Sequence, residues 1–97
     1  MAKISCQRDE SIDIVLICGD LDSLSLPLLQ QTITVLRQQG SQKMVWDGGE
    51  LDGISCPDLS ALSRTVRIYR STGGRIALAR FPQHGLRMLQ RYRFYRL

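Results

Sequence analysis

Residues 12–18, Ile12-Asp13-Ile14-Val15-Leu16-Ile17-Cys18, form a nearly continuous apolar run rich in β-branched side chains. Such a run loses rotamer freedom in a helix and suits a strand in the middle of a sheet. Gly19-Asp20-Leu21-Asp22 ends it, and a segment with a different period follows at once. Ser25 opens that segment, Pro27 falls in its first turn and Gly40 closes it, the punctuation of a helix. Leu28, Leu29, Thr32, Ile33, Val35 and Leu36 fit a 3.6-residue period, with Gln30, Gln31, Thr34, Arg37 and Gln38 facing outward. A central strand passing directly into an amphipathic helix is the first half of a parallel crossover, which commits the chain to an α/β architecture.

The same alternation continues to the C-terminus. Ile4-Ser5-Cys6-Gln7 is a short edge strand, with Arg8-Asp9-Glu10-Ser11 as its turn. Lys43-Met44-Val45-Trp46-Asp47 is a third strand, followed by a polar loop over 47–58. A helix over 57–70 comes next, capped by Ser55 or Cys56, with Pro57 and Asp58 in its first turn. Ser55-x-x-Asp58 resembles a capping box with Asp in place of Glu or Gln. Leu59, Leu62, Val66 and Tyr69 supply its buried stripe, and Arg64, Arg67 and Arg70 lie on an exposed flank. Gly73-Gly74 stops the helix. A fourth strand spans 75–81, and Pro82 begins a last helix through Leu86, Met88 and Leu89. The order is β-β-α-β-α-β-α, a mixed, mainly parallel sheet with an antiparallel first strand and right-handed crossovers. No linker, repeat or low-complexity tract divides it, so residues 1–97 are expected to form one domain.

Charge and cysteine usage narrow the classes further. Residues 1–48 carry four basic and six acidic side chains, whereas residues 49–97 carry nine basic, all arginine, and three acidic. That asymmetry suits an acidic partner, nucleic acid or an anionic surface, although a solvated arginine-rich surface accounts for it as well. No apolar run approaches the ~18–20 residues of a membrane span, and the first residues lack the apolar core of a signal peptide. Cys6, Cys18 and Cys56 have neither metal-type nor redox-type spacing and read as reduced thiols, placing the chain in the cytoplasm.

The elements and the residues between them resemble the STAS domain of anti-sigma-factor antagonists. The likeness rests on the 12–18 strand ending in Gly19-Asp20-Leu21-Asp22, where the family favours Gly-Glu-Leu-Asp. It continues through the Pro27 helix, the strand with Asp47, the run Leu51-Asp52-Gly53-Ile54 and the long helix to Tyr69. Gly73-Gly74-Arg75-Ile76-Ala77-Leu78-Ala79 then matches the family's Gly-Gly-x-Leu-x-Leu. The family's phosphorylation run, Asp-Ser-Ser-Gly-Leu, falls without gaps on Ser55-Cys56-Pro57-Asp58-Leu59. Pro57 therefore stands where the resemblance places the phosphoacceptor, and proline has no hydroxyl. Ser55 and Ser60 are the neighbouring hydroxyls left for any modification.

The resemblance implies a non-enzymatic bacterial module, monomeric or weakly dimeric, that docks onto a protein partner. The partner is an anti-sigma kinase, a sensor assembly or the ATPase of a transporter. Its expected binding surface comprises Asp20, Asp22, Asp52, Ser55, Cys56, Pro57 and Asp58, with the exposed face of helix 57–70. Asp58 either mimics a phosphate weakly or simply favours its helix N-terminus, the plainer reading. Asp47 and Glu50 are expected on the same sheet edge as the other carboxylates, where open α/β sheets bind ligands.

Other chemistry is poorly supported. The carboxylates lack calcium-loop spacing, so no metal and no cofactor is expected. Gly48-Gly49 and Gly73-Gly74 belong to no phosphate-binding motif. His84, the one histidine, is expected on the surface of the last helix rather than in a catalytic group. Cys56 at a helix start is either redox-sensitive or a small inert residue. Two readings of function remain beside regulatory docking: an accessory subunit of a lipid-transport ATP-binding-cassette complex, and a nucleic-acid-binding protein using its arginine-rich half. The basic, aromatic set Arg87, Arg91, Tyr92, Arg93, Phe94, Tyr95 and Arg96 fits the latter, while Tyr92, Phe94 or Leu97 fit equally well as residues that close the core beneath the last helix.

Overall fold

The computed structural model describes residues 1–55 and 58–90, Met88 by its backbone alone. Among these residues four strands and three helices follow in the expected order: β1 Lys3–Asp9, β2 Ile12–Leu21, α1 Leu26–Gln38, β3 Lys43–Ile54, α2 Ser60–Ser71, β4 Arg75–Ala79 and α3 Gln83–Gln90. The sheet order is β1-β2-β3-β4, with β1 antiparallel to β2 and the other pairs parallel. Both crossovers advance in the same direction across the sheet. Right-handed connections therefore place α1 and α2 on one face, where they pack against each other. The opposite face has no crossover helix, and Ile14, Leu16, Val45 and Ala77 are half-buried on it.

The period-2 rule decides what each strand buries. Val15 and Ile17 of β2, Met44 and Trp46 of β3 and Ile76 of β4 point to the helices and are buried. Leu29, Ile33 and Leu36 of α1, and Leu62, Val66 and Tyr69 of α2, meet them there with Leu59 and Leu89. The Trp46 indole donates to the Met44 sulfur at 3.2 Å, which satisfies its N–H inside the core. Asp13 is the buried charge of this layer. It accepts a two-point hydrogen bond from Arg8, directly opposite on β1, at 3.1 Å for each contact.

Several boundaries differ from the sequence reading. β1 runs two residues further, because Glu10 adopts φ +58° and leaves only Glu10-Ser11 to make the turn. β2 does not end at Cys18 but pairs with β3 through Leu21. β4 stops at Ala79, where Arg80 turns the chain with φ +57°. The six-residue stripe of α1 is narrower than expected. Leu28 and Val35 are each 40% exposed, so the core takes Leu26, Leu29, Ile33 and Leu36. The two glycine stops behave as anticipated. Gly40 and Gly73 take positive φ, and the next residue's N–H reaches back to Leu36 O and Tyr69 O respectively, closing a Schellman motif at each helix end.

The largest correction concerns 47–58. It is not a polar loop, because β3 continues to Ile54. The β2–β3 register jumps between Leu16/Cys18 and between Gly19/Asp20, and each jump gives β3 one extra residue. These are two bulges, at Gly48-Gly49 and at Asp52. Each reverses which side chains face the core, so Leu51 becomes the buried residue after Gly48. The Gly48-Gly49 pair also makes room. A Cβ on Gly48 would lie 2.8 Å from the Phe81 ring, and one on Gly49 would lie 2.6 Å from the Arg80 guanidinium carbon.

Candidate functional site

The C-terminal ends of β2 and β3 meet at one rim of the sheet. Ser55, just past β3, donates its hydroxyl to the Asp20 carboxylate at 2.5 Å, and its N–H reaches Leu21 O at 3.1 Å. Two bonds thus fix the segment leading toward α2 onto the end of β2. Asp20 is paired with Gly53 in the sheet, and Asp52, at the second bulge, is exposed. The Gly53 Cα faces the same place, since a Cβ there would stand 3.5 Å from His84 Nε2 and 3.7 Å from Asp20 Oδ1. His84, expected as an unremarkable surface residue of the last helix, is exposed and adjoins this group.

Asp22 has a different job. Its Oδ1 accepts from the N–H groups of Leu24 and Ser25, at 3.2 and 2.9 Å, and from the Ser25 hydroxyl at 2.8 Å. Those bonds to Ser25 hold its carboxyl down at about pKa 2. It is a turn residue before α1 rather than a free surface carboxylate, and Ser25, the helix N-cap, makes no side-chain cap. Leu24, carried outward by the same turn, is 72% exposed.

The entry to α2 also departs from expectation. The helix starts at Ser60 rather than at 57, with Leu59 as its N-cap. No Ser55–Asp58 capping box forms, because the Ser55 hydroxyl is directed to Asp20. Asp58 accepts from the Ser60 N–H at 2.9 Å, the bond of a residue steadying a helix start. Cys56 and Pro57, together with 91–97, lie outside the described residues. On α2 Arg64 and Arg67 are exposed as read from the sequence, but Arg70, expected on the same exposed flank, is half-buried, and that burial lowers its pKa. Ile68, 48% exposed, lies one turn beyond Arg64 and was not anticipated.

Asp47 and Glu50 are not on the rim. The Asp47 carboxylate is held by a two-point contact from Arg80, at 3.0 and 2.6 Å, which keeps its pKa below the ordinary carboxylate range. Glu50 accepts the Cys18 thiol at 3.2 Å, and that bond raises the thiol pKa. Both therefore belong to the helix-free face within β3. Their sequence neighbours Gly48-Gly49 hid this, because a glycine pair before a carboxylate reads as a loop rather than as a bulged strand. Among the described residues no three His, Cys, Asp or Glu side chains converge to hold a metal ion, and no helix is long and apolar enough to cross a membrane.

A four-stranded mixed sheet with its crossover helices on one face, and a serine-carboxylate rim leading toward the second of them, defines a small α/β domain. The STAS domain model matches residues 3–97, and the chain belongs to that family. An anti-sigma factor antagonist from Mycobacterium paratuberculosis superposes with a TM-score of 0.74 at 14% identity, over 100% of this chain and 85% of that one. The anti-sigma factor antagonist SpoIIAA in its unphosphorylated form gives 0.71 at 14% identity, over 98% and 86%. A structure of Mglu shares the fold at 0.68 and 18% identity over 81% of this chain, which spans only 19% of Mglu. None of the curated protein sequences matches. At these identities the likeness to solved structures is one of fold, and the family assignment makes the chain a STAS-type interaction module.

Proposed function

We propose that the chain is a non-enzymatic docking domain that binds a regulatory kinase, anti-sigma factor or sensor assembly in the bacterial cytoplasm. Its contact surface is the rim of Asp20, Asp52 and Ser55 together with the exposed face of α2. One observation carries the proposal: the 2.5 Å bond from Ser55 to Asp20, which holds the approach to α2 in place before any partner arrives. A surface fixed in advance avoids part of the ordering cost of association. Arg64, Arg67 and half-exposed Ile68 add an apolar contact flanked by cations, suited to an acidic partner. Pro57 stands where the family resemblance puts the phosphoacceptor, so docking is constitutive rather than switched by a phosphate.

The test is intact-mass measurement and phosphopeptide mapping of the protein purified from its source cell, alongside binding by Ser55→Ala and Ser55→Glu. Unmodified protein that binds its partner, with Ser55→Glu weakened by a second carboxylate facing Asp20, is the expected result. Stoichiometric phosphate on Ser55 or Ser60 overturns the constitutive reading.

A further inference from the structure

β1 is an edge strand, and among the described residues one of its edges meets no other strand. An unpaired row of backbone N–H and C=O groups is a template for another strand. The hairpin geometry says which groups are offered. Asp9 and Ile12 flank the two-residue turn and form its hydrogen-bonded pair, so Gln7, Ser5 and Lys3 also direct their backbone groups to β2. Ile4, Cys6 and Arg8 alternate with them and present theirs to the free edge.

We propose that this edge pairs with β1 of a second copy, antiparallel about a two-fold axis at Cys6, joining two sheets into one. In that register Ile4 opposes Arg8 and Cys6 opposes its own copy, so every outward-facing residue meets another outward-facing one. It is the one antiparallel register that pairs all seven residues of the strand. On the opposite face it sets Lys3 against Asp9 twice, an opposite-charge pair on each side of the axis, and Ser5 against Gln7. Both side chains of that ion pair are exposed, as is Cys6. Sliding the strands by two residues leaves one member of each ion pair outside the ladder. The charges that usually protect an edge from pairing are here arranged so that they complement a copy of themselves.

The groove beside the strand fits the same occupant. It encloses about 810 Å³ between β1 and α1, bordered by Ala2, Ile4, Cys6, Leu28, Thr32 and Val35. Leu28 and Val35 are the two α1 residues that the periodicity assigned to the core and the structure leaves 40% exposed. A two-fold normal to the sheet puts both α1 helices on the same side of the joined sheet, so the two grooves face each other across the seam.

Sedimentation velocity of the full chain, from low micromolar to near-millimolar concentration, tests the pairing. The weight-average mass should rise toward twice the monomer. Asp9→Lys, which sets two lysines against each other on both sides of the axis, should weaken association about ten-fold, and adding Lys3→Asp should restore it. Lys3→Asp alone is the second single variant, should Asp9→Lys disturb the turn. Cross-strand Cα atoms of a hydrogen-bonded pair lie about 5.5 Å apart, within disulfide range. With Cys6 as the one remaining thiol (Cys18→Ser, Cys56→Ser), the azo oxidant diamide should therefore yield a covalent dimer. The two thiols give up two protons and two electrons, and the oxidant becomes a hydrazine. A mass that stays monomeric at every concentration overturns the proposal. So does a dimer indifferent to both charge variants, or one cross-linked by Cys18 but not by Cys6.

Discussion

Replacing Gly48 by alanine tests why β3 carries two adjacent glycines. The added Cβ would sit 2.8, 2.9 and 3.0 Å from Cδ1, Cγ and Cε1 of Phe81. Carbon contacts are optimal at about 3.5–4.0 Å, so the overlap is roughly 0.7 Å across one ring edge. The ring cannot swing aside freely, since Phe81 packs against the core and follows Arg80, whose left-handed turn and two-point contact with Asp47 fix the chain there. Overpacking of this kind costs about 1–3 kcal/mol. For a domain of this size that lowers the melting temperature by roughly 5–20 °C. Urea and thermal unfolding followed by fluorescence of buried Trp46 would measure it. Two controls isolate the cause. Gly53→Ala, whose Cβ meets only ordinary contacts at 3.5 and 3.7 Å, should be tolerated far better. In a Phe81→Ala background the cost of Gly48→Ala should largely vanish. A Gly48→Ala protein as stable as the parent, or an undiminished loss without the Phe81 ring, would refute the steric reasoning.

Glu10 occupies a left-handed position in the β1–β2 turn, so Glu10→Gly should stabilise the fold by about 1 kcal/mol, read as a higher urea midpoint with unchanged slope. Acid should destabilise the fold in a defined window. The Asp22 carboxyl is held at about pKa 2 by Ser25, and those of Asp13 and Asp47 are lowered chiefly by their arginine partners, so each releases its proton more readily folded than unfolded. Their stabilisation is complete above about pH 4, the range of an unfolded aspartate, and is lost as pH falls toward 2. Urea midpoints should therefore drop between about pH 4 and pH 2, with Asp22→Asn removing part of the slope; a midpoint that holds or rises would contradict the assignment.

The order of elements was legible because it depends on patterns one chain displays locally. The β-branched 12–18 run, the stripe of Leu62, Val66 and Tyr69, and the glycine stops at Gly40 and Gly73 all act within a few residues of themselves. What escaped the sequence depends on neighbours. Gly48 and Gly49 look like a loop until Phe81 and Arg80 are seen to need the space. Leu28 and Val35 satisfy the helical period, yet the short edge strand β1 leaves their side of α1 uncovered. On the rim, Asp20 and Ser55 were each singled out, but that they bond to each other follows from the bulges that set the β2–β3 register. Asp22 and Asp58 carried the right charge for a binding surface, and the structure directs both to backbone N–H groups nearby. His84 was placed correctly on the surface of the last helix, but nothing local signalled its closeness to Gly53, and Leu24 had no local signal at all.

Comparative affinity capture reaches the docking account most directly. The parent chain, a rim variant carrying Asp20→Lys and Asp52→Lys, and a remote variant carrying Arg37→Ala would each be used as bait in the source cell, with captured proteins quantified by mass spectrometry. The expected result is a protein retained by the parent and by the remote variant and lost from the rim variant, all three baits folding alike by circular dichroism. Equal recovery by the rim variant, or selective loss with the remote one, would place recognition elsewhere on the molecule.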